Sequence, residues 1–197
     1  YEKQMDFKIK VVKDALKHIA KIDPPLIRSI PADQIYNYRN KGSFAVQKQS
    51  DFLRMGFFKQ GSHDVISTER CEILPEQTNK IKEWVRKLLI KHQISIYDEQ
   101  KHVGLLREVV VRHSTETNQS LVGLITTQGS FPKKFLTDMT EENMCKKLNI
   151  CGIVQNINPQ KTNVILGKET RVLWGQGKLN EKLGNLKFRL SLTSFFQ

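Results

Sequence analysis

Cysteine is scarce in this chain. Cys71, Cys145 and Cys151 are too few and too scattered for a disulfide framework. The one close pair, Cys145 and Cys151, matches none of the short spacings with which thiolates ligate a metal, so no metal site is expected. Ordinary small, half-buried side chains in a reducing compartment account for all three. Long apolar runs are missing too: none approaches the ~20 residues that a helix needs to cross a bilayer. The stretch from Tyr1 to Lys10 is charged and has no apolar segment before a small-residue cleavage site, so it does not read as a signal peptide. These absences set aside secreted and membrane classes and leave a cytoplasmic protein with no membrane partner. Catalytic signatures are absent as well. There is no Gly-rich phosphate loop, no Gly-x-Ser-x-Gly elbow and no His-Glu-x-x-His.

Acid is in short supply. Against 20 Asp+Glu stand 32 Lys+Arg, a formal charge of +12 with a pI near 9.7. On a soluble intracellular domain, charge of this size points to nucleic acid. The cations recur along the chain, from Lys8–Lys17 through Lys80–Lys87 to Lys161–Arg171, rather than collecting in a tail. A folded domain with one basic face is the expectation, and a generally basic surface without a ligand is its competitor. At 197 residues, with 39% hydrophobic and 26% charged, the chain can bury one core, or one and a fraction. It opens on Tyr1 and stops on Ser194-Phe195-Phe196-Gln197 without a terminating signal, which suggests a piece cut from a longer protein.

Apolar residues at Met5, Ile9, Val12, Leu16 and Ile19 predict an amphipathic helix with lysines outside. Asp23-Pro24-Pro25 ends it. Some nucleic-acid methyltransferases use Asp-Pro-Pro in catalysis, but here it lies between a helix and a loop and reads as a turn. Alternation from Tyr36 to Gln47, and Leu53, Met55 and Phe57 on one face of 53–59, predict a hairpin turning at Gln49-Ser50-Asp51. Pro75-Glu76 starts a helix that runs through Ile81, Trp84, Val85, Leu88 and Leu89 to about His92. Strands follow at Leu105–Arg112 and Leu121–Thr127, a third helix within Pro132–Leu148, and strands at Ile150–Asn156, Asn163–Leu166, Arg171–Leu173 and Phe188–Leu192. The pattern is α+β: a mainly antiparallel sheet with about three helices on one face.

Tyr38-Arg39-Asn40-Lys41-Gly42 places Arg and Lys beside aromatics on a strand, which can pair phosphates and stack a base. In Leu106-Arg107-Glu108 and Arg112-His113, Arg107 shares a face with Val109 and Val111. Glu108 and Arg112 share the other, where they can simply pair. His63 reads as a turn residue donating to backbone, and Trp174 as a core side chain.

Taken in order, these segments resemble a known family. Tyr1-Glu2-Lys3-Gln4 with a Lys-rich helix is similar to the stretch after the iron–sulfur cysteine motif of bacterial RNA uracil-5-methyltransferases. Tyr38-Arg39-Asn40-Lys41 matches that family's central-domain strand. Further matches are Gly56-Phe57-Phe58 with Ser62-His63, Cys71, Leu106-Arg107 with Val111-Arg112, Asn156-Ile157-Asn158 with Thr162-Asn163 and Gly167, and the closing Ser194-Phe195-Phe196-Gln197. The likeness is nearest to members acting on large-subunit ribosomal RNA.

The resemblance implies an enzyme that moves a methyl group from S-adenosylmethionine to carbon 5 of a uridine, in ribosomal RNA ahead of transfer RNA. A cysteine thiolate adds to carbon 6 of the flipped base and a carboxylate removes the carbon-5 proton. None of the three cysteines here matches the nucleophile motif. The resemblance therefore implies that nucleophile and base lie downstream of Gln197, in a Rossmann-type domain absent here, and that this chain alone is inactive. It further implies an iron–sulfur cluster in the longer protein with ligands upstream of Tyr1, and a monomer. Residues 1–187 are expected to form the central RNA-binding domain and 188–197 the start of the methyltransferase domain. Gln197 and Phe195 are the expected cofactor contacts, and Arg39, Lys41, Arg107 and Arg112 the expected RNA contacts. The alternative is a non-catalytic basic RNA-binding module.

Overall fold

A computed structural model describes residues 1–23, 27–49, 52–162 and 164–196. The chain divides into two compact units, 1–38 and 39–197. The first holds helix α1 (Glu2–His18), which buries no side chain, and an irregular segment in which the Ala32 amide donates to the Tyr1 hydroxyl at 2.9 Å. The break expected at Asp23-Pro24-Pro25 lies outside the described residues at Pro24 and Pro25.

The second unit begins with strands β1 (Lys41–Gln49), β2 (Phe52–Phe58) and β3 (Val65–Ser67), then helix α2 (Glu76–Lys91). Strands β4 (Leu106–Ser114) and β5 (Gln119–Thr126) precede helices α3 (Lys133–Met139) and α4 (Glu142–Lys147). Strands β6 (Ile150–Ile157), β7 (Glu169–Gly175), β8 (Leu179–Leu183) and β9 (Leu186–Leu190) complete it. Seven strands form one sheet in the order β3-β2-β1-β4-β5-β6-β7. Every pairing is antiparallel except β5–β6, where α3 and α4 carry the chain back to start a parallel strand.

The α+β expectation holds, with a second layer added to it. On one face Phe44, Met55, Val109, Val111, Val122 and Leu124 pack against Ile81, Val85 and Leu89 of α2, Phe135 and Met139 of α3 and Cys145 of α4. Trp174 packs on the rim of this core, as expected. On the other face Val110, Leu121, Ile125 and Val154 pack under a separate β8–β9 hairpin through Leu179, Leu190 and Leu192. The run Val109-Val110-Val111 is apolar throughout because both faces of β4 are covered there. Gly123 is required by this second layer: a Cβ there would lie 2.5 Å from both methyl groups of Leu192.

Several expected boundaries move. β1 starts only at Lys41, and Tyr36 and Tyr38 lie before it, exposed, so their spacing is not strand alternation. Residues 164–166 form no strand, and Asn163 lies outside the described residues, as do Ser50 and Asp51 of the expected hairpin turn. The expected third helix is two. Glu141 caps α4 by accepting from the Asn143 and Met144 amides at 3.0 and 2.7 Å, which separates it from α3. β3 and β8 carry no sequence signal that singled them out. The division expected at 187/188 falls inside β9. Among the described residues no helix is long and apolar enough to cross a membrane.

Candidate nucleic-acid interface

β1 sends Phe44 and Val46 into the helical core, so Lys41, Ser43, Ala45 and Gln47 occupy the opposite face. On β4 the same face carries Glu108, Val110 and Arg112, and the register pairs Lys41 with Arg112, Ser43 with Val110 and Ala45 with Glu108. The strands thus hold two cations directly opposite one another, an unfavourable pairing unless an anion joins them. Burial, and then the nearby Arg112, hold the Lys41 ammonium below its ordinary range. Among the described residues Lys41 has no ion pair and no side-chain hydrogen bond. Arg39 precedes β1 in irregular backbone; its amide donates to the Ile73 carbonyl at 2.9 Å and its side chain is exposed.

The other two expected RNA contacts are occupied within the protein. Arg112 is 2% exposed, and its guanidinium donates from Nε to the Leu192 carbonyl at 3.3 Å and from Nη2 to the Ser194 carbonyl. Burial lowers its pKa. It does not pair with Glu108, although they share a face as expected. Glu108 instead accepts from Ser43 Oγ at 2.8 Å.

Arg107 leaves the strand pattern altogether. The β4–β5 register shifts between Leu106 and Glu108, so Leu106 packs in the helical core with Val109 and Val111, and Arg107 does not share their face. Its guanidinium donates to the carbonyls of Asn158 at 3.0 Å, Gln160 at 2.8 Å and Thr162 at 3.0 Å, and lies 4.9 Å over the Tyr97 ring. Asn156 and Asn158 fix the same loop from inside. The Asn156 amide donates to the Gly167 and Glu169 carbonyls at 3.0 and 3.1 Å and accepts from the Gly167 amide at 2.7 Å. Asn158 donates to Val164 and Ile165 carbonyls and accepts from the Gln160 amide. The Asn-Ile-Asn motif and Arg107 are therefore one device for shaping residues 158–162 and 164–168.

Beside this loop lies a groove of about 780 Å³, lined among others by Lys48, Phe58, Tyr97, Glu99, Arg107 and Glu108. Burial pushes the Glu108 carboxyl above its ordinary range, a shift that the Ser43 hydrogen bond opposes. Sequence reasoning treated Glu108 only as a partner for Arg112; its signal was a carboxylate set into a valine-rich strand. His63 does not donate to backbone. Its Nδ1 meets Glu99 Oε2 at 3.0 Å on the groove rim.

The turn after β9 brings Phe196 back onto Phe188, with ring centroids 5.9 Å apart, and leaves Phe195 93% exposed. Gln197 lies outside the described residues. Of the two expected cofactor contacts, Phe195 alone is therefore among the described residues. Among the described residues no three His, Cys, Asp or Glu side chains are grouped to hold a metal ion.

No family model matches the chain. It is 37% identical over 199 residues to a protein of Clostridium tetani named "Uncharacterized RNA methyltransferase", covering 100% of this chain and 42% of that protein. The same identity and length of match hold for a protein of the same description from Halalkalibacterium halodurans, of which 43% is covered. The chain thus spans less than half the length of the curated relatives it matches. Among solved structures, that of Pyrococcus abyssi tRNA (uracil-54, C5)-methyltransferase in complex with S-adenosyl-L-homocysteine superposes with a TM-score of 0.75 at 21% identity, over 98% of this chain and 44% of that one. That likeness establishes a shared fold. The sequence relationship to these bacterial proteins, each named an RNA methyltransferase, runs along the entire length of this chain.

Proposed function

We propose that this chain is the RNA-gripping part of a methyltransferase that transfers a methyl group from S-adenosylmethionine to carbon 5 of a uridine, in ribosomal RNA ahead of transfer RNA. The observation that carries the reading is the match, along the whole of this chain, to a protein named an RNA methyltransferase at 37% identity. Arg39 and Lys41, cations with no partner among the described residues, support a role in holding phosphate. In this reading residues 1–187 form the RNA-binding middle, 188–197 lead into the methyl-transfer domain, and the protein works in the cytoplasm as a monomer.

Carbon 5 of uracil is a weak nucleophile, and a thiolate adding to carbon 6 makes it an enolate-like one. When bound, S-adenosylmethionine would supply an electrophilic methyl. In this reading the thiolate comes from outside this chain. Burial pushes the Cys145 and Cys151 thiols up to about 11, which keeps them protonated at neutral pH. Cys71 is held in the loop before α2, where Asn79 bonds both its amide and its carbonyl. Phe195 and Gln197 are the residues we assign to the cofactor's edge. Arg39 and Lys41 hold RNA directly, while Arg107 and Arg112 shape the surface that RNA meets. An iron–sulfur cluster in the longer protein would likewise take its ligands from elsewhere.

The test is binding of single-stranded RNA at rising salt. Each phosphate contact contributes about −0.7 to the slope of log K against log salt, so Lys41→Ala should flatten it by about that amount. Affinity equal to that of a charge-matched control protein would overturn the RNA reading. Formation of 5-methyluridine by this chain with S-adenosylmethionine and RNA would overturn the placing of the chemistry outside it.

A further inference from the structure

The groove beside Arg107 differs from the rest of this basic protein in its excess of acid: Asp64, Asp98, Glu99 and Glu108 contribute to its walls against Lys48 and Arg107, the latter already bound to carbonyls. Such a lining repels phosphate. Some of these acids are already engaged. Asp98 accepts from the Gln100 and Lys101 amides of its own turn at 2.9 and 3.0 Å, and Glu99 holds His63. Gln47 on the wall is committed too, bonding the Val65 amide and the His63 carbonyl. The exceptions are Asp64, whose exposed carboxylate is open to water, and Glu108, the one of the two that is buried. It is 8% exposed, one oxygen takes the Ser43 hydroxyl, and among the described residues nothing donates to the other. Glu108 itself lines the groove.

A ligand for this place must bring N–H donors and no negative charge at the point of contact. It must also present a face to the Tyr97 and Phe58 rings. Unpaired RNA bases meet the second requirement by stacking. A carboxylate selects among them by its two acceptor oxygens, and guanine alone offers two parallel donors on its Watson–Crick edge, N1–H and the 2-amino group. Volume is no obstacle, since the groove is of the size that takes small ligands. We infer that this groove receives an unpaired guanine of the bound RNA, read by Glu108 and positioned against Tyr97, while the phosphates run outside along Arg39 and Lys41. The inference rests on the RNA reading above and adds a base-specific subsite to it. The raised carboxyl pKa of Glu108 is what such a group shows before its donors arrive.

The experiment uses the full chain and fluorescein-labelled uridine-tract oligonucleotides carrying one guanine, one inosine or one adenine at the same position. Inosine lacks the 2-amino group and adenine lacks the N1 proton. The guanine oligonucleotide should bind about fivefold or more tightly than either. Glu108→Gln, which puts an amide NH₂ where guanine needs an acceptor, should abolish that preference. Because the base comparison is made on the unaltered chain, the inference stands or falls even if the variant does not fold. Equal affinity for guanine and inosine would overturn it and leave RNA binding intact; no binding of any oligonucleotide beyond a charge-matched control would overturn both. Guanosine monophosphate should not compete at the oligonucleotide's own concentration. Competition there would make a free nucleotide the ligand and overturn the assignment to RNA.

Discussion

Arg107→Lys separates two roles for one side chain. As a phosphate contact, Arg107 would be replaced adequately by another cation. As the fork that holds residues 158–162, it would not, because an ammonium cannot reach three carbonyls in one plane or stack flat on Tyr97. The bond to Asn158 is partly buried and the bonds to Gln160 and Thr162 are exposed, so about 1.5 kcal/mol for the first and about 0.5 kcal/mol for each of the others is a fair assignment. The stacked guanidinium adds about 0.5 kcal/mol. The sum is about 3 kcal/mol, and retained packing by the lysine stem reduces the loss to about 2 kcal/mol. For a unit of this size that corresponds to a fall in melting temperature of roughly 4–8 °C. Thermal unfolding by circular dichroism reads the first quantity, and the salt dependence of RNA binding reads the second. We expect Arg107→Lys to melt early and to keep its salt slope. A variant with wild-type melting whose RNA affinity is also retained would refute the clamp.

Lys82 is 1% exposed and donates to the carbonyls of Thr68 and Glu69, so Lys82→Met should destabilise by about 2 kcal/mol in urea unfolding despite its apolar surroundings. Gly123→Ala should cost about 1–3 kcal/mol and expose Phe188 and Phe196 to quenchers, since the new methyl meets Leu192 under the hairpin. Glu108 has its carboxyl pKa raised in the fold, so its contribution favours the protonated form and is lost as pH rises from the ordinary carboxylate range through the folded value. Glu108→Gln should therefore gain stability relative to wild type across that rise. His113, lowered by burial, acts in the opposite sense: its contribution is lost as pH falls below the ordinary imidazole range, and His113→Gln should flatten the unfolding midpoint there.

Elements whose causes are local were legible in the chain alone. Pro75 and Glu76 start α2 where periodicity said they would, because a proline at a helix entry and an acid in its first turn act within one turn. Leu53, Met55 and Phe57 fall on one face of β2 because strand alternation is a property of the backbone alone. The order of the family motifs was legible for the same reason. Tertiary structure decided which cations remain free. Arg107 finds its carbonyls 51 to 55 residues away, and Arg112 finds its own 80 and 82 away. Both arginines and Lys41 looked alike in sequence, as cations on strands. A one-residue bulge in β4 turns Arg107 toward the 158–162 loop, and the hairpin laid over Val110 and Leu121 buries Arg112. Lys41, half-buried and directly across from Arg112, is left with no ion pair and no side-chain hydrogen bond among the described residues. No spacing rule could have foreseen this, because a side chain's role is set by what folds over it, and that comes from the other end of the chain.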